Sequence, residues 1–355
     1  MSPEVAAAII AASVSVLTLI GTLASQYFGR RATSRDTQEA LKEQRAQLDK
    51  TFAEQRTRTL NERFATAADQ LGSDKPAVRL AGVYAMAGLA DDWKENRQTC
   101  VDVLCAYLRM PYDPDPGQDA PEPQRLAFQA IRGVRHTVIR VIAAHLKKDA
   151  AVSWQGFDFD FTGVVFDGGD FSDAQFSGGT VRFTDSHFSS GTVRFNSAEF
   201  SGSTVDFSFA QFSGGAVALN LAQFSGGLVS FLSTQFSGGT VEFTGAQFSG
   251  GTILFVSDKF SGATVRFTGA QFSGGTVDFS HTQLPGGTLY TNYAQLSGGF
   301  FVPGAQFSGG TVDFDKADFS GGTVDFSKAG TWSFPPAFPM TNTPPPGVKP
   351  PKLTQ

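Results

Sequence analysis

The sequence predicts an α+β chain: an N-terminal transmembrane helix, a small helical domain and then a long repetitive β-helix. Three observations carry this. No charged residue lies between Val5 and Phe28. The following stretch, to about residue 150, is rich in Ala, Leu, Gln and Arg, with apolar residues at helical spacing. Beyond Gly156 the chain turns to Phe, Gly, Ser and Thr, and the aromatics recur with a fixed beat. Phe occurs 35 times against 6 Tyr and 3 Trp, so a buried, repeated slot selects an aromatic with no polar handle.

The first element is the apolar run VAAAIIAASVSVLTLIGTLASQYF, long enough for a bilayer's ~30 Å hydrocarbon core. Met-Ser-Pro-Glu precedes it, which lacks the basic start of a cleaved signal peptide, so the expected anchor, residues 1–31, stays in the mature protein. Arg30, Arg31, Arg35, Lys42 and Arg45 follow the run and Glu4 precedes it. Positive residues stay on the cytoplasmic side, which predicts a single-pass membrane protein with the bulk of the chain cytoplasmic.

Residues 32–71 read as a juxtamembrane helical stalk, polar throughout, with pairs such as Glu54 and Arg58 four apart. Leu41, Leu48 and Phe52 suggest a coiled-coil seam and hence a homodimer, but Arg45, Gln55 and Thr59 interrupt it. Gly72-Ser73-Asp74 breaks the chain and Pro76 suits a first helical turn, which opens a helical domain over 72–150. Its expected inward stripes are Leu80, Val83, Tyr84, Ala87 and Leu89, then Cys100, Val103, Leu104, Tyr107 and Leu108, then, from about Gln124 to Lys148, Ile131, Val134, Val138, Ile142 and Leu146. These are core stripes of a small bundle or of a HEAT-like pair plus one.

The third element, over 156–330, holds most of the information. Phe161, Phe166, Phe171 and Phe176 are five apart; from Phe243 to Phe279 the spacings alternate between five and seven, giving a dodecamer Ala-Gln-Phe-Ser-Gly-Gly-Thr-Val-x-Phe-Ser-x. Two residues before each Phe stands a small or β-branched residue, as at Ala174, Val181, Ala198, Val241 and Ala246, with a polar residue between. That alternation is extended chain with two inward positions, and the Ser and Gly after Phe suit corners. A twelve-residue coil is too tight for two Phe rings at protein packing density, so two dodecamers per coil are expected, with four inward Phe. About seven coils and a rod near 35 Å follow at ~4.8 Å per coil. Leu284, Pro285, Thr291, Leu296 and Pro303 break the pattern, and the unit ending at Phe307 is one residue short, which predicts a bulge or local opening.

Ala174-Gln175-Phe176-Ser177-Gly178 and its copies resemble the pentapeptide-repeat pattern: a small residue, a central Leu or Phe two later, then Ser or Thr. The resemblance covers roughly Phe157 to Lys328 and implies a right-handed quadrilateral β-helix. The departure is a two-residue insertion in every second unit. The arrangement as a whole, including Arg79-Leu80-Ala81-Gly82-Val83-Tyr84-Ala85, is similar to bacterial membrane-anchored pentapeptide-repeat proteins. Residues 331–355, with eight prolines from Pro335 to Pro351, are expected to be a disordered tail in which Trp332, Phe334 and Phe338 cover the solenoid's open end.

The chain offers no catalytic, cofactor or metal residues. No Ser-His-Asp set, paired carboxylates or P-loop occurs, and His136, His145, His187 and His281 have no second ligand at metal spacing. Cys100 and Cys105, five apart, fit neither a redox pair nor a zinc knuckle and read as buried thiols. The net charge of −5 argues against a nucleic-acid partner, and no small-molecule substrate is evident. The expectation is a non-catalytic, membrane-anchored scaffold that meets the bilayer through its first helix and an unidentified protein through the repeat. Two alternatives stand beside it. One, implied by the pentapeptide-repeat resemblance, is an acidic β-helix that mimics DNA and binds a topoisomerase, on an outward stripe of Asp206, Glu242, Asp278, Asp313 and Asp325 that Arg182, Arg194 and Arg266 interrupt. The other is a surface-binding column formed by Thr180, Thr192, Thr240, Thr252 and Thr276.

Overall fold

The computed structural model describes residues 2–113, 115–297, 299–301, 305–306, 309, 311–319, 323–325 and 348–349. The chain divides into two compact units, Met1–Glu62 and Arg63–Gln355. The first consists of most of a single helix, α1 (Pro3–Leu71), which runs through both the expected anchor and the expected stalk. The transmembrane segment is overturned: among the described residues no helix is long and apolar enough to cross a membrane. Ser13, Ser15, Thr18, Thr22 and Ser25 dilute the apolar run, and the hydroxyls of Thr18 and Thr22 donate back to the Val14 and Thr18 carbonyls at 2.9 and 2.7 Å.

The second unit begins with the last turns of α1, where Ala67 and Leu71 are buried. Three helices follow: α2 (Pro76–Asp92), α3 (Arg97–Arg109) and α4 (Glu122–Leu146), with a single 3-10 turn at Lys94–Asn96 before α3. Gly82 lets α2 lie against the end of α1, since a Cβ there would stand 2.7 Å from the Leu71 nitrogen. The inward face of α2 is Val83, Met86, Ala87, Leu89 and Ala90; Tyr84, expected inward, is exposed. Cys100 and Cys105 are free and buried in α3, and burial pushes their thiols up to about 11 and 12.

From Phe159 the chain forms a parallel β-solenoid of about six turns among the described residues, against the seven expected. Its short strands stack into four sheets, so each turn has four faces. Three-residue strands such as Thr204–Asp206 and Thr240–Glu242 build the first and third faces; two-residue strands such as Gln211–Phe212 and Gln247–Phe248 build the second and fourth. The register fixes the coil. Gln211 pairs with Gln235 and Val217 with Val241, each twenty-four residues on, which is two dodecamers per turn.

Four columns of large apolar side chains run through the interior. Phe161, Phe183, Phe207, Phe231, Phe255 and Phe279 stack with centroid separations of 5.1, 4.6, 4.7, 4.7 and 4.7 Å. Phe166 to Phe260 and Phe176 to Phe272 form two more unbroken columns, and Leu219 stands between Phe195 and Phe243 in the fourth. These offset-stacked rings, nearly all fully buried, are the main apolar content of the fold. The inward residue ahead of the fourth face is Ala in every turn from Ala174 to Ala317. Ahead of the second face the corresponding column is polar at Ser186, Thr234, Asp258 and Thr282.

Corners come in two kinds. After most of the two-residue strands, Ser-Gly-Gly or a close variant such as Ser201-Gly202-Ser203 turns the chain. After the three-residue strands, the second residue beyond the inward ring takes a left-handed conformation whatever its type, as at Asp185 (φ 56°), Ser197 (56°), Phe209 (61°) and Leu221 (60°). Of the irregular stretch, Pro303 and Phe307 lie outside the described residues. Among its described residues Leu284, Thr291 and Leu296 keep their inward places, and the register changes: Gln271 pairs with Gln295, twenty-four on, but Thr276 with Gly299, twenty-three on. One residue is lost from a corner between Gln295 and Gly299. The expected end cap (Trp332, Phe334, Phe338) lies outside the described residues, as does the tail except Val348 and Lys349, which pair with Val324 and Asp325.

Candidate functional site

The first turns of the solenoid would expose an open edge of unpaired strands, and the helical domain covers it. Helix α4 lies along the first strand of the third face, Gly169–Asp170. Its approach depends on small residues: a Cβ at Gly169 would stand 3.2 Å from Ile139, and one at Gly168 3.5 Å from the His136 ring. Beside this seam is a groove of about 750 Å³ lined by charged residues of both elements, including Arg132, His136, Arg140 and Lys147 from the helical side and Asp167, Asp170 and Arg194 from the solenoid.

Asp167 is the centre of the seam. Its carboxylate accepts hydrogen bonds from Tyr112 Oη at 2.8 Å, Arg132 Nε at 2.7 Å and His136 Nε2 at 2.8 Å. Burial alone would raise this carboxyl, but the bonds from His136, Tyr112 and Arg132 outweigh it and hold it down at about 2. Burial and the bond to Asp167 push the Tyr112 hydroxyl up in turn. Arg135 lies 4.1 Å over the Tyr112 ring and donates to the Leu108 and Val165 carbonyls at 2.6 and 2.8 Å. Burial lowers its pKa from the usual arginine value.

A second network closes the other flank. Asp91 accepts from Trp154 Nε1 at 2.9 Å and contacts His145 Nε2 at 3.2 Å, and the His145 and Trp154 rings stack at 3.9 Å. Arg109 pairs with Asp160, whose carboxyl is lowered: burial opposes the shift, while Thr162 and Arg109 drive it. Arg109, Arg132, Arg135 and His136 thus each meet a carboxylate or a carbonyl, which is the chemistry of a bolted joint, while Arg140 donates to the hydroxyls of Thr137 and Tyr84. Among the described residues no group of His, Cys, Asp and Glu could hold a metal ion.

Sequence spacing gave His136 and His145 no carboxylate, and the fold supplies both, from 31 and 54 residues away. A local signal for Asp167 did exist: it occupies the place after Phe166 where most repeats carry Ser. The outward acids are divided between faces, Asp206 and Asp278 on the first and Glu242 and Asp313 on the third. Basic residues sit among them: Arg182 is in register with Asp206, and Arg266 Nη1 is 3.2 Å from Glu242. No protein-family model matches the chain, and neither a curated protein nor a solved structure is similar to it.

Proposed function

We propose that this chain is a non-catalytic scaffold whose solenoid, of the pentapeptide-repeat kind with every second side lengthened, docks a protein partner through its corners. The interior is filled by side chains, so recognition falls to the outer surface. The observation that carries the reading is the pair Phe209 and Leu221. Both take the left-handed conformation, at φ 61° and 60°, and both are exposed, at 51% and 61%. Most other turns place Gly, Ser or Asp at these corners, and His281, Tyr293 and Lys316 occupy them in later turns. For a bulky residue that backbone costs roughly 1–2 kcal/mol, and an exposed side chain returns nothing to the fold. Strain without a folding benefit points to function. Leu232 (38% exposed) adjoins Phe209, whose N–H donates to the Leu232 carbonyl at 2.9 Å, so this corner is an apolar patch.

The acidic-stripe alternative has less support, because Arg182 and Arg266 neutralise the stripe locally. So has the threonine column, because Ala216 and Leu228 replace Thr in it. The test is affinity capture with the full chain and with the double variant Phe209→Gly, Leu221→Gly, the bound proteins identified by mass spectrometry. The reading expects a partner lost from the variant while its melting temperature stays level or rises. An identical captured set from both proteins would sink it.

A further inference from the structure

The inward column ahead of the second face reads Val164, Ser186, Ala210, Thr234, Asp258, Thr282 and Ala305 in successive turns, all facing the Phe core. Its polar members share one habit. Ser186 Oγ donates to the Phe161 carbonyl at 2.8 Å, Thr234 Oγ1 to the Phe207 carbonyl at 2.9 Å, and Thr282 Oγ1 to the Phe255 carbonyl. Each hydroxyl thus reaches back one turn to the carbonyl of a first-column Phe. For Asp258 the corresponding acceptor is the Phe231 carbonyl. An ionised Asp has nothing to donate there. Asp258 is fully buried; its Oδ1 accepts from the Thr234 N–H at 2.6 Å, and its Oδ2 has no hydrogen-bond partner.

We propose that Asp258 is held as the neutral carboxylic acid, with its Oδ2–H donated to the Phe231 carbonyl, so that the middle of the solenoid carries a latch closed by one proton. Protonation restores the donor that Ser and Thr supply elsewhere in the column and removes an uncompensated charge from among the rings. Charged neighbours do not stabilise the anion. Residues 228–237 of the preceding turn carry no charge, the adjacent Lys259 is exposed, and in the following turn Asp278 faces outward and His281 stands exposed at its corner. Burial pushes the carboxyl up to about 9, against the lowering effect of the Thr234 N–H.

The sign follows from linkage. The unfolded carboxyl ionises near 3.8 and the folded one near 9, so stability is fully present below the lower value. It is lost as pH rises between the two, by about tenfold in the unfolding equilibrium constant per pH unit. The test compares urea unfolding of the wild-type chain, Asp258→Asn and Asp258→Thr from pH 5 to pH 8. Asn keeps the shape and donates without titrating; Thr is the column's own solution. The expected result is a stability advantage of the variants over wild type that widens by about a hundredfold per two pH units. A second readout is infrared difference spectroscopy at pH 7, where wild type minus Asp258→Asn should show the carbonyl band of a protonated carboxylic acid. If Thr does not fold at this site, Asn alone decides. An advantage independent of pH, or the absence of the protonated band, would overturn the assignment.

Discussion

Phe248 offers the sharpest test of where the stability of the solenoid resides. It is 1% exposed, stacked between Phe224 at 4.8 Å and Phe272 at 4.6 Å, and flanked by the tilted rings of Phe243 and Phe267 at 6.0 and 6.1 Å. Phe248→Ala removes the ring from a place that the flanking turns, held in register by parallel pairing, cannot collapse to fill. The expected loss is about 3–5 kcal/mol, including two stacked contacts of about 0.5–1.5 kcal/mol each. Phe248→Leu should cost about 1 kcal/mol, since Leu219 already occupies an equivalent place between Phe195 and Phe243. Gln247→Ala, on the same strand but outward, should change stability by no more than about 0.5 kcal/mol. Urea unfolding gives the totals, and amide exchange should place the loosening in the turns on either side, because a solenoid turn is supported by its neighbours alone. If Phe248→Ala cost no more than Gln247→Ala, the stacked columns would not be what holds the fold together.

Three further outcomes can be checked. Asp167 has its carboxyl held at about 2 by Tyr112, Arg132 and His136, so it contributes stability above its unfolded value near 3.8 and loses it as pH falls toward 2; Asp167→Asn should cost about 2 kcal/mol at pH 7 and almost nothing at pH 2, measured by urea unfolding. Gly191 has φ 65°, and a Cβ on it would stand 2.3 Å from the Asp167 carbonyl oxygen, so Gly191→Ala should lower stability by about 1–3 kcal/mol or more; an unchanged melting temperature would refute the corner geometry. Cys100 and Cys105, buried and with thiols pushed up to about 11 and 12, should react with a thiol reagent only after unfolding.

The solenoid was legible because its cause is local and repeated. A Phe every fifth or seventh residue and a small residue two before it fix which side chains point inward, and ring size then fixes the coil at two dodecamers. The joint to the helical domain was not legible, because Asp167 meets Tyr112, Arg132 and His136 only after α4 has docked on the first turn. The corner conformation was hidden by its own tolerance: Gly, Ser, Asp, Phe, Leu and Tyr all take the left-handed place, so composition gives no rule. Asp258 was visible as a departure, a charged type in an inward place, but only the ladder of Ser186, Thr234 and Thr282 gives it a role. The N-terminal run carries no charge, yet the described residues make no helix long and apolar enough to cross a membrane, and the hydroxyls of Thr18 and Thr22 lie within it.

The most direct test of the architecture is a distance. Gln175, Glu199, Gln223, Gln247, Gln271 and Gln295 occupy one outward column of the fourth face, five steps from first to last. Cysteines introduced at Gln175 and Gln295 can be spin-labelled selectively, because the two native thiols are buried. Four-sided turns of twenty-four residues predict about 24 Å between the two backbone sites at ~4.8 Å per turn. Twelve-residue turns would place the same sites about 48 Å apart and would contradict the fold on which the scaffold reading rests.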